Sequence, residues 1–212
     1  MSPVRSPLLD AVPWLRHGFG TRHNGAWTAA DRTARLHQVH AATIVPVTGP
    51  GHHGDGDALI AATPDLWLEI RTADCVPVLI ADSRQKVVAA IHGGWRGTAA
   101  RITEATVGTM IRAYGSRPEE LVAAVGPCIG ACCFEVGEEV ASHFPTHCHR
   151  GGKRPHVDLA AANVEQLTQC GIAPEQIDNM GRCTMCETDA FHSFRRDRTI
   201  GRMISAIAIQ PE

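Results

Sequence analysis

The chain has 212 residues, 44% of them hydrophobic, and a formal net charge of −2. That length can bury a substantial core, and the near-balanced charge gives no global electrostatic case for nucleic acid or for an anionic membrane as a partner. No apolar run approaches the ~20 residues of a membrane span. The opening stretch MSPVRSPLLDAVPWLRHGFG has neither a sustained apolar segment nor a small-residue cleavage site, so no signal peptide is read and a cytoplasmic protein is expected. Eight cysteines (Cys75, Cys128, Cys132, Cys133, Cys148, Cys170, Cys183 and Cys186) are expected to be reduced, and mostly small buried apolar residues. Twelve histidines bring metal chemistry into view.

In chain order, GDGDALI (54–60) lacks the full calcium-loop pattern and its closing Glu, and reads as a turn before a strand. LWLEI (66–70), VPVLIAD (76–82) and KVVAAI (86–91) read as strands. Thr98 to Tyr114 has Ile102, Val107, Met110 and Ile111 at helical spacing, with Gly115 placed to cap it. LVAAVG (121–126) is another strand, and Glu135 to Phe144 a short helix. HFPTHCHRGGKRPH (143–156) reads as a solvated, mobile loop between helices. Asp158 suits the N-cap of LAAANVEQLTQC, which Gly171 stops. MISAIAI (203–209) is a last strand. Short strands mixed with helices, but not strictly alternating with them, predict an α+β fold: one domain over residues 1–212, with layered mixed β-sheets covered by helices.

VPVLIAD and KVVAAI are separated by three residues, too few for a parallel crossover, so they form an antiparallel hairpin. If Asp82 pairs with Gln85, the same register sets Cys75 opposite His92, with Cβ atoms about 4.5–5.5 Å apart. That separation suits a sulfur and an imidazole sharing one metal, or a direct Cys–His pair. Taken singly, each reads as a core residue. Their opposition, and the AIHGGWRG stretch (90–97) whose glycines let a ligand approach the backbone, favour a site. A third ligand could be His37, His40, His17, His23, His52 or His53; spacing does not choose among them. Asp74 precedes Cys75, but strand neighbours face opposite ways, so it is not expected in the chemistry.

QVHAATIV, GDALIAATPDLWLEIRTADCVPVLIAD, VVAAIHGGWRG, GPCIGACCFEVGEEV, HVDLAAAN and FHSFRRDRTIGR occur in an order that resembles the laccase-domain family. That family is also called multicopper polyphenol oxidase-type or peptidoglycan editing factor, and is described as purine nucleoside phosphorylases. The likeness covers roughly residues 14 to 209, and ADC-x-P with H-x-GW-x-G is its most specific part. It implies an α+β fold with cysteine-hydrolase-like placement of Cys and His. It also implies a zinc site at His40, Cys75 and His92, with the same residues catalytic, and phosphorolysis of adenosine to adenine and ribose 1-phosphate. Inosine and methylthioadenosine as substrates, and deamination of adenosine, are implied as well. One departure is visible: between GFGTR and QVH the family carries about twenty residues more than HNGAWTAADRTARLH provides.

Phosphorolysis needs an anion site. Arg22 and Arg96 are the expected phosphate ligands, because guanidinium binds phosphate bidentately. The backbone N–H groups of Gly93 and Gly94 would assist if their turn forms a nest. Arg195, Arg196, Arg198 and Arg202 read as a solvated or interface surface, with a pocket role open. Copper can occupy a two-His, one-Cys site, since Cu(II) binds such donors more tightly than zinc. Rival readings are a copper-binding polyphenol oxidase, a metal-free Cys–His hydrolase and a non-catalytic partner protein. The sequence contains one His-x-His, at His147 and His149, which is thin for a laccase copper cluster. The Cys-x-x-Cys at Cys183 and Cys186 lacks a second pair at zinc-knuckle spacing. Cys128, Cys132 and Cys133 are expected to line a glycine-rich turn, without chemistry of their own.

Overall fold

The structure is a computed structural model and describes residues 2–198 and 201–211. Its strands are β1 (Leu15–Phe19), β2 (Thr33–His37), β3 (Ile44–Pro46), β4 (Gly51–Asp55), β5 (Ala58–Ala61), β6 (Trp67–Thr72), β7 (Val76–Asp82), β8 (Val87–Gly93), β9 (Leu121–Val125), β10 (Cys148–His149), β11 (His156–Val157), β12 (Ile177–Asn179) and β13 (Met203–Ile209). Its helices are α1 (Pro7–Asp10), α2 (Trp95–Ala99), α3 (Ile102–Tyr114), α4 (Glu138–Ala141), α5 (Leu159–Gln169) and α6 (Phe194–Asp197). A six-stranded sheet of order β12-β9-β7-β8-β5-β3 lies over a five-stranded sheet of order β1-β13-β6-β2-β4. Both mix parallel and antiparallel pairs. The expected α+β architecture of layered mixed sheets covered by helices is present. No helix among the described residues is long and apolar enough to cross a membrane.

The apolar runs of β7 and β8 are unbroken because both faces of their sheet are covered. Val78, Ile80, Ala89 and Ile91 pack toward Ile102, Val107 and Met110 of α3. Leu79, Ala81, Val88 and Ala90 alternate with them and pack toward Leu68, Ile70, Ile207 and Ile209 of the other sheet. The outer face of that second sheet carries Trp67, Ile204, Ala206 and Ala208, covered by Trp27. Trp27 meets Trp67 edge-on at 5.4 Å and donates its indole N–H to the Ile204 carbonyl at 3.1 Å. The short segment between Arg22 and Gln38 is therefore anchored on this outer face.

Four local expectations change, the first being that the helix expected over Glu135–Phe144 shortens to α4. The β7–β8 hairpin has a four-residue loop, with Asp82 facing Val87, Pro77 facing His92 and Val76 facing Gly93. The Asp82 side chain accepts the Arg84 and Gln85 N–H groups at 2.9 and 2.8 Å. Lys86 takes a left-handed conformation at φ 51°. This wider turn shifts the register by two residues, an even step, so Cys75 and His92 keep a common face as diagonal neighbours. The expected Thr98–Tyr114 helix is two helices, because Arg101 is left-handed at φ 60° and breaks it. The 143–156 stretch is tied down: Cys148–His149 pairs with His156–Val157, and the His147 ring meets Glu165 at 2.9 Å. Asp158 does cap α5, accepting the Ala161 N–H at 2.8 Å, and Gly115 closes α3 at φ 69°.

Candidate metal centre

Cys75 stands one residue before β7, and His92 is the penultimate residue of β8. Both share the parity of the residues that face the five-stranded sheet, so they emerge at the end of the gap between the sheets. His40 comes from the loop after β2, in a left-handed conformation at φ 59°. One donor atom from each of His40, Cys75 and His92 lies within 4.8 Å of the others. The two imidazoles meet nearly edge to face, their centroids 4.7 Å apart. Of the six histidines left open by spacing, this is the one that joins the pair. His37 and His52 reach the same cavity, whereas His17 is buried elsewhere and accepts the Ser6 N–H.

Asp57 builds this arrangement, and sequence reasoning missed it. It is fully buried, in the turn before β5. Its carboxylate accepts the His92 Nδ1–H at 2.7 Å and the backbone N–H groups of His40 and Ala41 at 3.0 and 2.7 Å. One buried carboxylate thus fixes the His92 tautomer and curls the chain that presents His40. Carboxylates so placed behind ligating histidines orient the ring and raise its basicity. GDGDALI marks a turn before a strand, but its spacing does not show that Asp57 rather than Asp55 meets His92.

The glycines of HGGWRG serve close packing. A Cβ on Gly94 would stand 2.7 Å from His40 Nδ1 and 3.4 Å from the Cys75 sulfur. One on Gly97 would stand 2.8 Å from the Ala41 carbonyl, blocking α2 from the loop that carries His40. Gly93 is paired in β8, and Gly94 is extended (φ −68°, ψ 163°) ahead of α2. They form no anion-binding nest, because neither adopts the left-handed conformation a nest requires.

Charge is concentrated here. Burial raises the Cys75 thiol pKa, but contacts with His40 and His92 outweigh it and bring the value down to about 6. Burial depresses His92, but hydrogen bonds to Asp57 and Cys75 outweigh it and raise the value to about 9. Burial raises Asp57 as well, and its bonds to His92 and Ala41 pull it below the ordinary carboxylate range. Without a metal, the site therefore holds a thiolate beside an imidazolium that is fixed by a carboxylate.

A cavity of about 450 Å³ opens onto these side chains, walled by Leu36, Gln38, Arg71, Ala73, Phe194 and Arg202 among others. This lies within the roughly 300–1,000 Å³ of small-molecule sites. The structure does not bring Arg22 or Arg96 to it. Arg22 donates to the Thr188 carbonyl at 2.5 Å, and Arg96 stacks on Trp95 at 4.2 Å and is exposed. The cavity's guanidinium groups belong instead to Arg71 and to Arg202, the member of the basic cluster whose pocket role was open. Arg71 is braced by Glu69, whose buried carboxylate also binds Arg35 and accepts the Thr28 hydroxyl at 2.8 Å. Asp74, at φ 83°, faces away from the cavity and binds the Thr184 and Ser193 hydroxyls and the Arg195 N–H.

The chain is similar to several known proteins. A purine nucleoside phosphorylase of Deinococcus radiodurans is 44% identical over 188 residues, covering 85% of this chain and 72% of that protein. The adenosine deaminase RL5, from an unknown prokaryotic organism, is 38% identical over 149 residues, covering 66% of this chain and 56% of that one. The crystal structure of YlmD from Geobacillus stearothermophilus superposes with a TM-score of 0.89 at 26% identity, covering 100% of this chain and 98% of that one. Residues 21–210 match the family described as multi-copper polyphenol oxidoreductase laccase, and the chain belongs to that family.

Proposed function

We propose that this chain is a cytoplasmic, zinc-dependent purine nucleoside phosphorylase, acting as one domain on adenosine and also on inosine and methylthioadenosine, with deamination of adenosine as a second reaction. The observation that carries this reading is the convergence of His40, Cys75 and His92 on a nucleoside-sized cavity. It is supported by relatives named as purine nucleoside phosphorylases and as an adenosine deaminase. The donor set fits zinc, since one thiolate and two imidazoles are among its preferred ligands and three of them leave a fourth position open. Copper(II) fits the same donors. When bound by these three side chains, the ion supplies Lewis acidity at that open position.

The chain's own residues do the rest. Asp57 holds the His92 ring by its Nδ1–H, leaving Nε2 for the site. The guanidinium groups of Arg71 and Arg202 bind phosphate on the cavity wall, and the exposed Phe194 ring flanks the base. In phosphorolysis a phosphate oxygen bonds to the sugar C1′ as the purine nitrogen leaves with the bonding pair and takes a proton. In deamination, water replaces the amine at C6 and ammonia leaves. Incubation of the pure protein with adenosine and phosphate, followed by separation of products, tests both. Adenine with ribose 1-phosphate supports phosphorolysis, inosine supports deamination, and neither at any metal loading overturns the reading.

The alignment of Asp57, His92 and Cys75 also favours a second reading, a metal-free cysteine hydrolase in which His92 activates the sulfur. That activity would survive chelation and be abolished by alkylation of Cys75. Oxygen uptake with a phenolic substrate, set beside copper content, tests the oxidase that the family description suggests.

A further inference from the structure

A second group of metal-binding side chains lies away from the cavity. Cys132 and Cys133 sit in the turn of GPCIGACC, and Cys183 and Cys186 in the turn of CTMCETD. The sequence separates the two pairs by about fifty residues, yet all four sulfurs lie within 4.8 Å of one another. Cys132 and Cys133 come within 3.7 and 3.4 Å of Cys186. Four sulfurs about 2.3 Å from one tetrahedral ion stand roughly 3.8 Å apart, so the spacing is that of a ligand shell. A disulfide would draw two of them to about 2.0 Å, well inside the 3.7 and 3.4 Å separations from Cys186.

The surroundings suit a charged sulfur cluster. The Gly130 N–H donates to the Cys183 sulfur at 3.3 Å. A Cβ on Gly130 would stand 3.3 Å from the Cys132 sulfur and 3.6 Å from that of Cys183, so the glycine lets the backbone close on both. Arg196 donates to the carbonyls of Thr184 and Met185, within the Cys-x-x-Cys turn, and also pairs with Asp197. Its guanidinium sets positive charge beside the cluster.

We propose that Cys132, Cys133, Cys183 and Cys186 form a second metal site, a closed tetrathiolate for a thiophilic divalent cation, with zinc as the natural occupant. On binding, four thiols release four protons to solvent and four sulfur–metal bonds form, leaving a net charge of −2. No coordination position remains open, so the role is structural. The site fastens the two loops that hold Asp74. The Ile129 N–H donates to the Asp74 carbonyl at 2.9 Å, and Thr184, Ser193 and Arg195 bind its carboxylate. Asp74 immediately precedes Cys75, so the tetrathiolate braces the corner from which the candidate catalytic sulfur projects.

Metal content of the full chain, purified with zinc as the only added metal and then desalted, tests this. Two zinc ions per chain are expected in the wild type and one in Cys75→Ser. Cobalt(II) loaded into Cys75→Ser should show intense thiolate-to-metal absorption, which Cys75→Ser/Cys183→Ser/Cys186→Ser should lose. Should the latter variant not fold, the Cys75→Ser measurement stands alone. A Cys75→Ser protein that binds no zinc overturns the proposal. So does a wild-type mass lower by two hydrogens, with Cys133 and Cys186 joined. One zinc that persists in Cys75→Ser but is absent from the Cys183→Ser/Cys186→Ser protein would instead overturn the reading of the cavity site and leave this one standing.

Discussion

The two sulfur-bearing clusters are built in opposite ways. The His40–Cys75–His92 site sits on the ends of two core strands and one loop, with a buried carboxylate behind it and a cavity in front. The four-cysteine site sits on two turns, with Cys132 and Cys186 exposed and, among the described residues, no carboxylate in its donor group. Three mixed donors on a rigid frame leave room for a reactant, whereas four sulfurs on loops can only tie those loops together. The contrast teaches that donor number and support, more than donor identity, separate a working site from a brace.

Removing a donor breaks the comparison most sharply. Cys75→Ala or His92→Ala should lower kcat/KM for adenosine by roughly 10³-fold while zinc remains at the four cysteines, as product separation and metal analysis would show. Asp57→Asn should lower activity or cavity-site zinc affinity by about 10–100-fold, with the tetrathiolate unaffected in a competitive chelator titration. Gly94→Ala should weaken cavity-site zinc by about tenfold, because its Cβ displaces the His40 ring and such overpacking costs about 1–3 kcal/mol. The pH dependence of alkylation sharpens the contrast. In metal-free protein Cys75 is a thiol below pH about 6 and a thiolate above it. Its iodoacetamide rate should therefore rise through pH 6 and level off roughly one to two units above it. Cys132 and Cys133, raised by burial and neighbouring sulfurs, should react only at more alkaline pH, as peptide mapping would show.

Legibility in the sequence followed the layering. VPVLIAD and MISAIAI coincide with β7 and β13 to the residue, because a strand covered on both faces is written as an uninterrupted apolar run. β2 and β4, TARLH and GHHGD, went unread. Arg35 hides its role in a pair with buried Glu69, and β4 is largely exposed. The Cys75–His92 pairing survived a wrong register because an even shift keeps side chains on their face. Asp57 and the four-cysteine cluster were illegible for a common reason: each depends on contacts between segments that spacing along one chain cannot reveal. Arg22 and Arg96 were chosen for guanidinium chemistry, which says nothing about where a side chain points.

The contacts around Glu69 carry one more implication. Thr28, in the abbreviated segment before β2, touches the carboxylate that steadies Arg71 on the cavity wall. That stretch thereby helps set the aim of the guanidinium proposed above to bind phosphate. On that proposal, changing the length of this connection would alter anion preference without altering a single residue of the recess itself.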